Sequence, residues 1–312
     1  MRENTYTGDY VVRGTAADGR VRVFAVRSTE LVAKARDIHK TFPVVTAALG
    51  RLLSAAAMMG TMMKGEEDVL SLTVKGDGPI ASLTVSADSH GHVKGFPGNP
   101  SVDIPRKRPG KLDVGAAVGK GILTVTMDLG LRDPYQGQVE LQTGEIGDDL
   151  AYYFTVSEQT PSAVGLGVML DRDSSVKEAG GFLVQLLPDA DEEIIEALES
   201  RLASIRSVTE MMEEGLTPED ILHEVLGDIP FEILEREEVS FSCNCSRDKV
   251  SRALAAIQKS ELESMIEDGE SIEVKCFYCN MAYEFTVDEM KEILVEREQS
   301  AEIEDSAESE NA

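Results

Sequence analysis

The chain has no tryptophan, and it has only four cysteines and four histidines. It is also short of positive charge: 30 Lys and Arg stand against 57 Asp and Glu, for a formal charge of -27. A chain this acidic lacks the basic face that nucleic acid and anionic membrane surfaces require, so neither is expected as a partner. The N-terminal stretch Met1–Asp9 is polar and has no signal-peptide apolar core. Long apolar runs are missing too. The longest, Pro43–Met63, is interrupted by Arg51, Ser54 and Thr61 and reads as a buried helix rather than a membrane span. No Gly-x-Ser-x-Gly nucleophile pattern occurs, and the chain is not expected to be an enzyme. Gly115–Gly121 is a near miss to a phosphate-binding loop, with one residue too few between glycines and Gly where Ser or Thr is needed. These absences point to the cytoplasm, where thiols stay reduced and a permanent disulfide framework is not expected.

What is present suggests an α+β protein in more than one part. At 312 residues the chain is long enough for two or three domains. Residues 1–188 read as an N-terminal core domain, a mixed β-sheet with helices. Strand patterns lie at Arg20–Arg27, Leu70–Val74, Ile80–Val85, Ile122–Asp128, Gln138–Gln142, Ala163–Leu170 and Phe182–Leu187. Asp18-Gly19 and Asp77-Gly78 are hairpin signals, and Ser89–Gly91 reads as a hairpin tip. Helical patterns cover Thr29–His39, Pro43–Met63 and Asp148–Val156. Met58, Met59, Met62 and Met63 read as core packing. His90 and His92 near Asp88 are a weak metal signal, and Gly165-Leu166-Gly167 sits in a strand with no helix following.

Residues 189–231 read as a helical linker. Ile194, Ile195, Leu198, Leu202, Ile205, Val208 and Met212 form a stripe along one helix, Asp191–Glu214, which Gly215 stops. A short second helix follows, with Thr217 as N-cap, Pro218 at its first position and Gly227 at its end. Such short, charged helices need a surface to lie on. Residues 232–296 read as a small C-terminal zinc-binding α+β domain. It combines helices at Arg247–Gln258, Ser260–Glu267 and Val287–Val295 with a hairpin at Ile272–Lys275 and Ala282–Thr286. Residues 297–312 form an acidic tail expected to be disordered.

All four cysteines fall in this last domain, as Cys243-Asn244-Cys245 and Cys276-Phe277-Tyr278-Cys279. Two tight thiol pairs and no others suggest one tetrahedral thiolate site, which suits a single zinc ion per chain. Four thiolates around zinc carry a net charge of about -2, and Arg247, Lys249 and Lys275 are placed to offset it. The Cys-x-x-Cys half is common to many zinc staples. The Cys-x-Cys half is not: its sulfurs can bond to each other only in a strained ring, open in reducing cytosol and closed by oxidant. That favours an oxidant sensor whose output is local unfolding. A constitutive zinc-ribbon protein-interaction module is the alternative. A thiol oxidoreductase is disfavoured, because this Cys-x-x-Cys does not open a helix after a strand.

With these residues in view, the chain resembles the redox-regulated 33-kDa heat-shock chaperones, the bacterial holdases also called 33 kDa chaperonins. The resemblance runs through Thr46–Gly60, Asp149–Phe154, Ser157–Ala163, Gly181–Pro188 and all four cysteines; the acidic tail after Glu296 is longer than usual. It implies an ATP-independent chaperone that is inactive when reduced and zinc-bound through Cys243, Cys245, Cys276 and Cys279. It further implies that peroxide with heat, or hypochlorite, forms Cys243–Cys245 and Cys276–Cys279 disulfides and releases zinc. The linker then unfolds, the protein dimerises, and it binds unfolded clients under oxidative stress.

Overall fold

Alternation along the first strands already separates two cores. In β1 (Tyr10–Ala16) Val11 faces one core while Tyr10 and Val12 face another. In β2 (Val21–Arg27) Phe24 and Val26 face the first, and Val21, Val23 and Ala25 the second. Successive side chains of a strand point to opposite faces, so a sheet apolar on both must be covered on both. The computed structural model, which describes residues 8–108 and 110–297, provides both covers.

Five antiparallel strands make the first sheet, in the order β10-β1-β2-β9-β8. The remaining members are β8 (Ser162–Leu170), β9 (Val176–Leu186) and β10 (Phe231–Glu238). A second sheet has the order β11-β5-β4-β3-β6-β7. It comprises β3 (Val69–Gly76), β4 (Ser82–Asp88), β5 (His92–Pro97), β6 (Gly121–Asp128), β7 (Tyr135–Glu140) and the two-residue β11 (Ser240–Phe241), the last running parallel to β5. Helix α2 (Pro43–Gly60) packs against strands of both sheets, beside α1 (Thr29–His39). Two shorter helices, α3 (Val114–Val118) and α4 (Gly147–Val156), complete this layer.

Helix α2 is long and apolar enough to cross a membrane, but 89% of it is buried inside the protein. Its polar interruptions, and Thr61 at its C-cap, find partners, though Arg51 Nε is left without one. Ser54 Oγ donates to Gly50 O at 2.8 Å, Thr61 Oγ1 donates to Met58 O at 2.8 Å, and Arg51 pairs with Glu145 at 2.7 Å. Met58 and Met59 are buried and Met62 and Met63 pack against the same core, as their helical spacing suggested.

The outer face of the first sheet is covered by α5 (Glu192–Leu202), α6 (Val208–Glu213) and α7 (Pro218–Leu226). Ile194, Leu198, Val208, Met212, Ile221 and Leu222 are buried there against Val12, Val23 and Val184. The stripe read from the sequence therefore has its docking surface, with two differences. The expected single helix is two, broken over 203–207, where Ser207 starts afresh as an N-cap with Glu210 returning to its N–H. Ile195 points away from the buried cluster. Polar tethers add to the docking: Glu219 of α7 accepts from Tyr10 of β1 and from Arg236 of β10, both at 2.7 Å.

Residues 231–242 join the two sheets at their edges. β10 pairs with β1, the Val239 N–H then donates to Asp9 O at 3.1 Å, and β11 continues beside β5. The crossing passes Gly91, at φ +73, where a Cβ would strike the Glu238 carbonyl. Chain contacts accordingly divide the protein into two compact units, Met1–Ser242 and Cys243–Ala312. Residues 232–242, assigned to the C-terminal domain in the sequence reading, run as strands of the first unit because their backbone groups pair there. All but the first residue of the expected tail, 297–312, lies outside the described residues.

The second unit holds α8 (Arg247–Ala256), α9 (Lys259–Glu267), the hairpin of β12 (Ile272–Lys275) and β13 (Ala282–Phe285), and a closing helix α10 over residues 287–297. Its core is thin: Leu254, Leu262, Phe285, Met290 and Ile293 are its buried apolar side chains. The α+β architecture expected from the sequence is the one observed.

Candidate metal centre

Two local structures bring the four cysteines together. Cys243 and Cys245 lie on irregular backbone that ends where Ser246 caps α8, its side chain accepting from Lys249 N–H. Cys276 and Cys279 occupy the β12–β13 turn, where Cys276 N–H donates to Met281 O at 2.9 Å and Asn280 N–H to Cys276 O at 2.8 Å. Asn280 takes a left-handed φ of +59, a conformation Asn tolerates better than most residues.

Their four Sγ atoms lie within 4.8 Å of one another, all half-buried. Cys243 Sγ is 3.7 Å from Cys276 Sγ, and Cys245 Sγ is 3.4 Å from Cys279 Sγ. A tetrahedral zinc site with bonds of about 2.3 Å has sulfur–sulfur edges of about 3.8 Å, so the donor set fits zinc in kind, number and spacing. Among the described residues, this is the group of metal-binding side chains close enough to share an ion. His90 and His92 instead pair with Glu66 and Asp88, each at 2.9 Å, on the hairpin tip the sequence predicted.

Electrostatics set Cys245 apart from Cys243 and Cys279. Burial pushes the Cys245 thiol up, but the hydrogen bond from Tyr283 Oη at 3.1 Å, with help from the neighbouring thiols, outweighs it and brings Cys245 down to about 7. Burial raises Cys243 and Cys279 against a lowering backbone hydrogen bond at each; Cys245 and Cys276 raise both further, while Cys279 lowers Cys243. Tyr283 itself is pushed up to about 12, chiefly by its bond to Cys245. So many sulfurs in one place cannot all ionise without a cation among them.

Two of the three cations expected to offset the thiolates are engaged elsewhere. Arg247 pairs with Glu289 and lies 4.5 Å over the Phe285 ring, and Lys275 pairs with Glu273 at 2.9 Å. Tyr283 was not among the site residues expected from the sequence. An aromatic hydroxyl four residues beyond Cys279 was a visible signal, but the face it takes depends on the hairpin register.

The Hsp33 protein family matches residues 9–286. The chain is 59% identical over 285 residues to the 33 kDa chaperonin of Agathobacter rectalis, covering 91% of this chain and 99% of that protein. It is 52% identical over 286 residues to that of Lachnoclostridium phytofermentans, covering 92% and 98%. The crystal structure of the Thermotoga maritima 33 kDa chaperonin superimposes with a TM-score of 0.85 at 37% identity, covering 93% of this chain and 99% of that one. Fold and cysteine cluster together define a chaperone-class protein. The chain belongs to the Hsp33 family.

Proposed function

We propose that the protein is a redox-regulated, ATP-independent holdase, inactive while reduced and zinc-bound through Cys243, Cys245, Cys276 and Cys279. The observation that carries this is the convergence of four thiols from two segments of a unit with so thin a core. Zinc, when bound, supplies a cross-link between those segments, which a unit of this size needs, and keeps the sulfurs as thiolates, the oxidisable form.

Oxidation acts on the sulfurs. Cys243 bonds to Cys245 and Cys276 to Cys279, and each pair passes two electrons to peroxide or hypochlorite while any thiol protons go to the medium. Disulfide sulfurs are no longer thiolate donors, so the cross-link is lost with them. Residues 189–231 then lose their bracing. Lifting α5, α6 and α7 uncovers the apolar face of the first sheet, which contains Val12, Val23, Phe182 and Val184. A large apolar patch suits binding of varied unfolded clients, and Met211 and Met212 on the same cover are adaptable contacts. In this reading the core of residues 1–188 binds clients and forms the homodimer of the active state. Residues 243–296 are the switch, and the protein works in the cytoplasm without nucleic acid or membrane partners.

The test is direct. Zinc-loaded protein is treated with peroxide at elevated temperature, while zinc release and the aggregation of a denatured client are followed. Suppression of aggregation should begin only as zinc leaves. Zinc retained under oxidant, or full activity without it, sinks the switch and leaves a constitutive zinc module.

A further inference from the structure

In a chain of charge -27, cations without partners stand out. Within the first unit a cleft of about 790 Å³ opens between α2, the turn carrying Arg106, Arg108 and Lys111, and the β8–β9 hairpin carrying Arg172. None of these four residues forms an ion pair with a carboxylate among the described residues, whereas their neighbours do. Arg51, on the α2 side, donates to the Glu145 carboxylate at 2.7 Å and to its backbone carbonyl at 3.1 Å. Lys107 reaches the other Glu145 oxygen at 3.1 Å. Glu145 thus answers two cations. Burial raises its carboxyl, but Arg51 and Lys107 outweigh this and hold it below the usual carboxylate range. Asp171 and Glu210 also line the cleft, but Glu210 is occupied with the Ser207 N–H at 3.1 Å.

The side chains of Arg106, Arg108 and Arg172 are exposed, and the backbone that carries the first two is closed into a turn. Lys107 N–H donates to Lys111 O at 3.1 Å and Lys111 N–H to Arg108 O at 2.9 Å, closing the turn that presents Arg106, Arg108 and Lys111. Arg172 approaches from the hairpin. Like charges gathered this way repel unless an anion joins them. Guanidinium groups match phosphate oxygens with paired hydrogen bonds. Leu166 and Val168 form an apolar wall that strengthens such bonds by excluding water. The volume is that of a small-molecule site rather than of a groove for a folded partner.

We propose that this cleft binds an oligophosphate group, carried by an inorganic polyphosphate chain or by a nucleoside triphosphate. Several closely spaced charges on one short chain answer the four cations together. Recognition falls to side chains, because the glycine segment that resembles a phosphate loop, Gly115–Gly121, is folded into α3 and the start of β6. The four cations lie apart from the cysteine cluster, but the start of α6, through Ser207, Thr209 and Glu210, also lines the cleft, so the site is tested in the reduced protein.

The experiment is calorimetric titration of full-length, reduced, zinc-loaded protein with tripolyphosphate and, separately, with ATP, at two salt concentrations. Saturable binding that weakens with salt is expected, reduced about tenfold or more in Arg106→Gln/Arg108→Gln and in Arg172→Gln. ATP binding tighter than tripolyphosphate assigns the site to nucleotides, and the reverse order assigns it to inorganic chains. Tripolyphosphate also chelates metal. The variants keep all four cysteines, so heat that persists in them is chelation and overturns the proposal. Absence of saturable binding overturns it as well, as does equal displacement by an oligoglutamate peptide of matched charge.

Discussion

Tyr283 donates its hydroxyl hydrogen bond to Cys245 Sγ at 3.1 Å, although 38 positions separate the two residues in sequence. The bond ties the returning strand of the hairpin to the segment that precedes α8. It also stabilises a negative sulfur. Partners of this kind around a metal commonly change its affinity by about tenfold or more. Tyr283→Phe is therefore expected to bind zinc about tenfold more weakly and to release it faster to a chelator. A chelator competition assay checks this, and an unchanged zinc off-rate would show that the bond is incidental.

Removing one sulfur should act beyond the metal site. Cys276→Ser leaves three thiols and is expected to weaken zinc binding and to loosen residues 190–240. Limited proteolysis followed by fragment mass measurement reads this out. If cleavage in that range matches wild type, the coupling between switch and cover fails.

The cover can be weakened without touching a cysteine. Leu222 of α7 is fully buried against the first sheet. Leu222→Ala should cost about 2–5 kcal/mol of packing. The reduced, zinc-loaded variant is then expected to bind an apolar dye and to suppress client aggregation without oxidant. A variant that is destabilised yet still silent when reduced would place client binding elsewhere.

Asp9 provides a pH signature. It is buried beside α1, where its Oδ2 accepts from Leu31 N–H at 2.7 Å, and its Oδ1 has no partner. Burial, with the nearby charge of Glu30, raises its carboxyl from 3.8 to about 6. The folded state thus holds this proton more tightly than the unfolded chain does. From this group alone, stability is greatest below about pH 4 and falls as pH rises to about 6. At pH 7 the ionised form costs on the order of 2–3 kcal/mol. Asp9→Asn should raise the urea midpoint at pH 7 and flatten its dependence between pH 4 and 6. Equal slopes in the two proteins would refute this.

Much of this fold is legible in the sequence. The β2, β6, β8 and β9 patterns, the α1 and α2 helices, the Thr217–Gly227 helix and the cysteine hairpin all follow from local spacing and turn residues. The misses share a cause. β10 (Phe231–Glu238) is rich in Glu and Arg and carries little alternation, because it is an edge strand whose partner supplies the order. β1 gave no alternating signal for the opposite reason: both of its faces are buried, so its apolar residues run together. The break between α5 and α6 is set by docking on the sheet, and the bond from Tyr283 by hairpin register. At the cysteine centre the ligand set was legible because thiols were so few. The cations around it were not, since Glu289 and Glu273 compete for them.

The path of residues 231–242 also fixes an order of events under load. One residue, Ser242, separates Cys243 from a two-residue strand, β11, which is itself preceded by the eight-residue β10. A disturbance starting at Cys243 must travel back along the chain. It meets the two pairs with β5 first and the long ladder with β1 only afterwards. The junction is a zipper with a weak first tooth: two pairs with β5 stand nearest the cysteines, and the seven pairs of the β10–β1 ladder lie behind them.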